Sequence, residues 1–333
     1  MTTFNPNSAE EITGQFAMIR FDCDICENTR TSDELSVELR GQLISGGTDA
    51  IKVHVFPKLT GNKLRAKREK LRRYLQASCV QYGDEIFLVK REKVSEILKG
   101  CEEIIEEFNS LLMQYYSNYN HLHADHLQSL EGDLYHVASA LSYSAQEWFG
   151  RNTIGMAPAM LMQGISEEDN ECLIDEIATA SLKDIRRSVN QIYKDFFIED
   201  GKLKTSTTTK PIHKLKSLSS KVSEVAIVQE GLGNIAGYMR EVIASIPAPS
   251  DKAPNVIEGQ GFSMILNLIM LLKDEEMLRD CANDARNLPA INADDDWFDV
   301  NDSIDTGAST VIATQNEPEN HELFFEADEF NFE

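Results

Sequence analysis

The longest regular pattern in the chain is a row of apolar residues between Arg91 and Gln128 that recurs at alternating steps of four and three residues. Positions with this spacing lie on one face of a helix, so the row predicts one long amphipathic helix that needs helical partners. Phe108 lies in the middle of the row, and we expect it in a core between helices. The row comprises Val94, Leu98, Cys101, Ile105, Phe108, Leu112, Tyr115, Tyr119 and Leu122.

Similar patterns predict further helices towards the C-terminus. Ser166 and Asp169 have the spacing of a capping box, which opens a helix that ends before Asp200 and can pack antiparallel to the first. Apolar rows over residues 215–242 and 262–287 predict the rest of a bundle. Residues 202–210 have no such periodicity and are interpreted as a mobile, basic loop.

The first 90 residues have a different pattern. Residues 16–25, 50–56 and 85–89 are short, β-compatible segments, and a strongly basic helix is predicted over residues 63–76. We therefore expect a mainly α protein with three parts. These are a small α+β module (1–90), an elongated antiparallel helical bundle or coiled-coil hairpin (91–288) and a disordered acidic tail (289–333).

Charge distinguishes the tail from the rest of the chain. The formal net charge is -23, and from Ile291 onward there are thirteen Asp or Glu residues and no Lys or Arg. A segment of one charge sign with no sustained apolar face is predicted to be disordered. Its last residues are nevertheless apolar enough to dock into a basic, apolar groove on a partner or on the basic helix. The candidate docking residues are Phe324, Phe325, Phe330 and Phe332, next to Leu323.

The basic helix is the candidate contact surface of the sequence. Its cations suit nucleic acid or an acidic partner, although no aromatic residue interleaves with them as single-strand recognition favours. The alternative is a solvated helix that the protein's own acidic segments neutralise. The cations are Lys63, Arg65, Lys67, Arg68, Lys70, Arg72 and Arg73.

Motifs with catalytic or metal-binding chemistry are incomplete. Cys23 and Cys26 form a CxxC pair, but no second pair or CxxH follows at the spacing of a zinc site. Of His121, His123 and His126, only the last two share a helix face, so a surface helix end is the favoured interpretation.

Nucleotide and calcium motifs fail in detail. The glycines of residues 231–237 interrupt a helical row and have the spacing GxGxxxG, which favours close helix packing, and no Walker A sequence is present. The acidic run after Asp294 lacks the Gly and Glu of an EF-hand. We therefore expect a protein that is not an enzyme and has no metal or cofactor.

Several features predict a cytoplasmic protein. No apolar segment follows a basic start, and the longest apolar stretch, residues 264–272, is shorter than the ~20 residues that span a bilayer. Six cysteines in 333 residues are sparse for a disulfide scaffold. We expect no membrane contact.

Three segments carry a family resemblance: KLRAKREKLRRYLQ, YGDEIFLV and VSEILKGCEEIIEEFNSLLMQYYSNY. Together with the strand at residues 16–25, this order resembles the bacterial and phage family called domain of unknown function 3150, over about residues 15–240. Such proteins tend to be encoded beside MoxR-type AAA+ ATPases and von Willebrand A domain proteins. The resemblance implies an accessory role in a chaperone-like assembly and defines no catalytic residues.

Two functions follow as hypotheses. The first is a non-enzymatic helical interaction protein that docks to an AAA+ ATPase or a von Willebrand A protein. The alternative is a nucleic-acid-associated protein of phage or plasmid replication or recombination, which would use the basic helix of residues 63–76 and the aromatic-tipped tail. If the heptad row were exposed, it would instead indicate a homo-oligomer.

Overall fold

The computed structural model describes residues 8–32, 51–130, 132–249 and 254–291. Its α-helices are α1 (Ala9–Thr13), α2 (Lys58–Ser78), α3 (Val94–Ser117), α4 (Tyr119–Gln128), α5 (Asp133–Leu141), α6 (Ala145–Gly150), α7 (Glu167–Phe197), α8 (Lys210–Val225), α9 (Glu230–Ser245), α10 (Gly259–Lys273) and α11 (Glu275–Asn283). Short 3₁₀ helices cover Arg91–Lys93 and Ala285–Asn287. The predicted mainly α fold is confirmed.

The strands are short and mostly precede or follow helices. They are β1 (Phe16–Asp24), β2 (Thr29–Ser32), β3 (Ile51–His54), β4 (Val80–Gln81), β5 (Ile86–Lys90), β6 (Thr153–Met156), β7 (Met160–Leu161), β8 (Ile198–Glu199), β9 (Lys202–Leu203), β10 (Ser206–Thr208) and β11 (Val256–Glu258). Strands β9 and β10 occupy part of the segment predicted as a loop. That prediction was wrong because the partner of β10 is β11, about fifty residues away, and local periodicity does not reveal such a pair.

Strand β1 lies inside a five-stranded sheet of order β4-β5-β1-β6, in which β7 also pairs with β1. All these pairs are antiparallel. Phe16 is opposite Lys90 of β5, and Phe21 is opposite Met156 of β6. Since β6 and β7 follow α3 in the chain, the sheet has strands from both sides of the boundary predicted at residue 90. The described residues belong to one compact unit.

The predicted long helix is present as α3 and α4, with an interruption at Asn118, whose φ is -104° and ψ is 9°. The prediction that its apolar row is buried is confirmed for Cys101, Phe108 and Leu112, whereas Val94, Leu98 and Ile105 of the row are half-buried. Ile97 and Ile104, which lie beside the row, are buried as well.

The expected pairing of this helix with α7 needs correction. The main partners of α3 are α2 and the sheet, whereas α7 packs chiefly against α8 and α10. Gly100 of α3 leaves room for the side chain of Tyr74 on α2, whose hydroxyl a Cβ atom at this position would overlap. The sheet provides the apolar surface that the sequence pattern alone assigned to a second long helix.

Three groups of buried residues form most of the core. On the sheet side, one cluster packs Phe21 of β1 and Phe87 of β5 against Leu71 of α2 and Cys101 of α3. A second cluster packs Phe108 with Leu64 of α2 and Trp148 of α6. On the other side, α7 to α11 bury an aliphatic cluster that includes Ile185, Val189, Leu215, Val222, Leu232, Met239, Ile265 and Leu272. The acidic tail predicted over residues 289–333 lies almost wholly outside the described residues.

Candidate functional site

The candidate surface predicted from the sequence is helix α2. Its apolar side is formed by Leu64, Leu71 and Leu75, all fully buried. Because seven cations share the rest of a 21-residue helix, they surround this apolar stripe on several sides and meet neighbouring elements. The structure therefore places the predicted residues together on one helix. Whether each cation can contact a partner depends on the groups beside it.

Two of the lysines bind the same carboxylate of α3. The ammonium groups of Lys67 and Lys70 each lie 2.8 Å from the carboxylate of Glu107. The hydrogen bonds that these lysines donate lower the pKa of Glu107 to about 2, and the bond from Lys67 is the larger cause. This exposed cluster links the two helices at their rim, and it reduces the positive charge that α2 offers to a partner.

Two arginines of α2 are directed towards other polar groups. The guanidinium of Arg68 donates to Glu85, between β4 and β5, at 2.7 Å, and this hydrogen bond is the main cause of a raised Arg68 pKa. Arg65 donates to the side-chain oxygen of Asn62 at 3.2 Å. The Nε atom of Arg72 is buried and makes no hydrogen bond to the described part of the protein.

Lys63 and Arg73 remain as exposed cations of α2. Neither makes an ion pair with a residue in the described ranges. Carboxylates of α3 and of the β4–β5 turn thus neutralise much of the basic helix. The other predicted docking residues, Phe324, Phe325, Phe330 and Phe332, lie outside the described residues.

The two cysteines of the CxxC pair lie at the end of β1 and just after it. Both are free thiols. Burial raises the pKa of Cys23 to about 11, which keeps its sulfur protonated at neutral pH. The backbone N–H of Cys26 donates to the side-chain oxygen of Asn152 at 3.0 Å. The raised pKa of Cys23 argues against a reactive thiol there, since a reactive cysteine needs a lowered pKa. Cys26 is buried beside the strand end.

The three histidines of α4 have three different partners. His121 pairs with Asp125 at 2.8 Å on the exposed surface. His123 hydrogen-bonds the hydroxyl of Ser142 at 2.7 Å, and burial lowers its pKa. His126 lies 2.9 Å from the backbone oxygen of His54. Among the residues that the structure describes, no group of three or more potential ligands is arranged for a metal ion.

The three glycines of residues 231–237 belong to α9, and one of them packs closely against a neighbouring helix. A Cβ atom at Gly231 would overlap the backbone carbonyl of Ala282 on α11, whereas one at Gly233 or Gly237 would meet no close contact. The interpretation as close helix packing is therefore confirmed for Gly231.

A buried polar network at the start of α2 was not predicted. Asn28 has a φ of 55° and donates to the hydroxyl of Thr60 at 3.0 Å and to the backbone oxygen of Pro57 at 3.1 Å. Its side-chain oxygen accepts a hydrogen bond from the indole of Trp148 at 2.8 Å. Asn tolerates a positive φ better than most residues, but no local pattern shows which Asn adopts one. The network fixes the turn that leads into α2.

A buried ion pair was also not predicted. Lys221 of α8 lies 2.6 Å from Asp184 of α7, with side-chain exposures of 6% and 4%. The same ammonium donates to the backbone oxygen of Gln76, near the end of α2, at 2.8 Å. In the sequence, the pair could have been recognised because each of the two charged residues lies on an otherwise apolar helix face. The pair joins α7, α8 and α2 at one point.

The fold and these contacts define a mainly helical protein whose predicted chemical motifs serve packing and ion pairing. The family model described as a protein of unknown function, DUF3150, matches residues 58–274, which is more than half of the chain. The chain therefore belongs to this family. The match begins at the first residue of α2 and ends just after α10.

The other comparisons give no relatives. No curated protein and no solved structure matches the chain. Within the described ranges, none of the helices is both long enough and apolar enough to cross a bilayer.

Proposed function

We propose that this protein is a non-enzymatic, cytoplasmic accessory protein that docks through a helical face to a MoxR-type AAA+ ATPase or its von Willebrand A partner. Family membership supports the proposal, because the resemblance implies such neighbours in bacterial, phage or plasmid genomes. The positive structural support is the outer face of α3.

The outer face of α3 carries an exposed row with the spacing of a docking helix. We call it the docking row, and it consists of Glu102, Glu106, Asn109, Met113 and Tyr116. Met113 is 51% exposed and Tyr116 is 37% exposed, so the row offers apolar surface beside its polar groups. The opposite side of α3 is buried against α2 and the sheet, so a partner would meet a rigid surface.

The chemistry of the docking row predicts the chemistry of its partner. The Tyr116 ring is held against Phe149 with a centroid separation of 4.7 Å, so it needs little ordering on binding. Met113 and Tyr116 would act as apolar anchors, and the carboxylates of Glu102 and Glu106 would steer the approach of cations. A partner with an apolar pocket beside basic residues fits this surface.

The test is co-expression of the full chain with the ATPase and the von Willebrand A protein encoded beside its gene, followed by affinity capture. Met113→Glu places a charge in the docking row and should reduce recovery of the partner at least tenfold. Met160→Glu is the matched control, because Met160 is 55% exposed on β7, away from the row. Equal recovery with both variants would exclude the docking row, and failure of the wild type to recover either partner would count against the proposal.

The alternative of nucleic-acid binding through α2 has less support. Lys67, Lys70 and Arg68 are engaged by Glu107 and Glu85, which leaves fewer cations for phosphate groups than the sequence suggests. Lys63 and Arg73 remain exposed on this helix. If α2 binds nucleic acid, the variant K63Q/R73Q should therefore bind it less tightly than the wild type.

A further inference from the structure

The charges of α7 are divided between its two halves. The first ten residues contain six carboxylates and no cation, namely Glu167, Glu168, Asp169, Glu171, Asp175 and Glu176. The second half contains Lys183, Arg186, Arg187 and Lys194. A helix dipole favours cations near the C-terminus, but the effect falls off within the last turn. The dipole therefore explains Lys194 and leaves Lys183 and Arg187 unexplained.

Three of these cations form a row on the solvent side of α7. Lys183, Arg187 and Lys194 are four and seven residues apart, so they lie on one helix face, and all three are exposed. Their positions span about 16 Å at 1.5 Å per residue. In contrast to Lys67 and Lys70 of α2, none of the three makes an ion pair with a residue in the described ranges.

Helix α8 packs antiparallel to α7, and its N-terminal half adds cations beside the C-terminal end of the row, near Lys194. Lys214 of α8 lies 3.1 Å from Asp195 of α7, and Lys210 is one turn earlier on the same side of α8. Both lysines are exposed. We call the five residues the α7–α8 cationic face: Lys183, Arg187, Lys194, Lys210 and Lys214.

Nearby carboxylates leave this face with an excess of positive charge. Asp195 is engaged by Lys214, and Glu275 of α11 is engaged by Arg186. The acidic half of α7 ends at Glu176, about 10 Å along the helix from Lys183. That distance is longer than the Debye length of about 8 Å at physiological ionic strength, so the acidic half is largely screened.

Two aromatic rings near the end of α7 are already covered by lysines. The ammonium of Lys214 lies 4.7 Å from the ring centroid of Phe196, and that of Lys273 lies 4.2 Å from the ring centroid of Tyr193. Both rings are half-buried. The part of a nucleic acid that this face suits is therefore the phosphate backbone rather than the bases.

We propose that the α7–α8 cationic face binds the phosphate backbone of a single-stranded nucleic acid. The narrow row fits one strand, whereas a duplex would require a broader positive surface than this acidic protein offers. The site is independent of the docking row on α3 and of any ATPase partner.

The test uses fluorescence anisotropy of the full chain with a labelled single-stranded 30-nucleotide DNA of mixed sequence, measured over a range of salt concentrations. The variant K183Q/R187Q/K194Q removes three cations from the face. Each phosphate contact contributes about 0.7 to the salt slope for a single strand, so loss of three contacts should lower the slope by about 2 and weaken binding about 100-fold at 0.1 M salt.

The matched control is K63Q/R73Q/K99Q, which also removes two lysines and one arginine, from exposed positions of α2 and α3. It should bind as the wild type does. Circular dichroism of both variants checks that each is folded. Equal weakening by the two triple variants would show an effect of net charge only, and weakening by the control alone would place the site on α2. Absence of wild-type binding, or equally tight binding of polyglutamate, would also overturn the proposal.

Discussion

The sheet side of the molecule and the helical bundle place opposite charges in different environments. Between α2 and α3, Lys67 and Lys70 meet Glu107 at the exposed rim, above a core of apolar side chains. Between α7 and α8, Lys221 and Asp184 meet inside the bundle, almost without solvent contact. The same kind of pair therefore has different consequences in the two regions, because water stabilises an exposed charge that loses its partner but cannot reach a buried one.

The largest expected effect separates the two pairs directly. Asp184→Ala leaves the buried ammonium of Lys221 with only the carbonyl of Gln76, and should destabilise the protein by about 3–5 kcal/mol. Glu107→Ala, the exposed counterpart, should leave the urea midpoint nearly unchanged. The double variant D184L/K221M should recover most of the loss, because an apolar pair needs no desolvation of charge. Equal urea midpoints for Asp184→Ala and Glu107→Ala would show that the buried and the exposed pair contribute equally to stability.

The core of the sheet side provides a second test of similar size. Phe108 is fully buried with Leu64 and Trp148, so Phe108→Ala should cost about 3–5 kcal/mol through lost contacts and a residual cavity. Met113→Ala on the same helix is the control, since Met113 is 51% exposed. Thermal melting followed by circular dichroism measures both variants. A melting temperature close to that of the wild type for Phe108→Ala would mean that the apolar row of α3 contributes little to the fold.

Two glycine substitutions sharpen the contrast in helix packing. Gly231→Ala would drive a methyl group into the rigid backbone of α11, and it should destabilise the protein by about 1–3 kcal/mol. Gly100→Ala would meet only the hydroxyl end of the Tyr74 side chain, which can rotate away. The better helix propensity of Ala, up to about 1 kcal/mol, should then make Gly100→Ala nearly neutral. A larger loss at Gly100 than at Gly231, by chemical denaturation, would contradict the packing we describe.

The smallest expected effect is electrostatic. Since the folded-state pKa of Glu107 lies below its usual value of 4.5, the pair with Lys67 and Lys70 favours the folded state above pH 4.5 and loses this effect as the pH falls towards about 2. Carboxyl NMR should give a midpoint near 2 for Glu107, and the variant K67Q/K70Q should return it towards 4.5. A wild-type midpoint near 4.5 would show that water, rather than the two lysines, solvates this carboxylate.

Local periodicity predicted the elements whose burial depends on a single helix face. The heptad row located Phe108 in the core, and the capping box at Ser166 marked the start of α7, where the side chains of Ser166 and Asp169 each accept a hydrogen bond from the backbone N–H of the other. The basic helix was also predicted, because its cations are adjacent in sequence. Such features are encoded within one or two turns of helix.

Features that depend on distant residues could not be predicted in this way. The pairing of β1 with β6 joins Phe21 to Met156, two residues that lie far apart in the sequence. The neutralisation of α2 by Glu107 and Glu85 depends on how α3 and β5 pack, which no pattern within α2 reports. The α7–α8 cationic face was missed for the same reason, because two helices contribute to it.

The position of β1 inside the sheet has a consequence for synthesis on the ribosome. Its partners β6 and β7 end at Leu161, so about 130 residues must be translated after β1 before its second edge can pair. At about 5–20 residues per second, this interval lasts roughly 6–26 seconds. During that time the edge of β1 that β6 and β7 will cover offers unpaired N–H and C=O groups to other chains. Slower elongation through residues 25–161 should therefore increase aggregation of nascent chains, and a chaperone that covers extended apolar segments should reduce it.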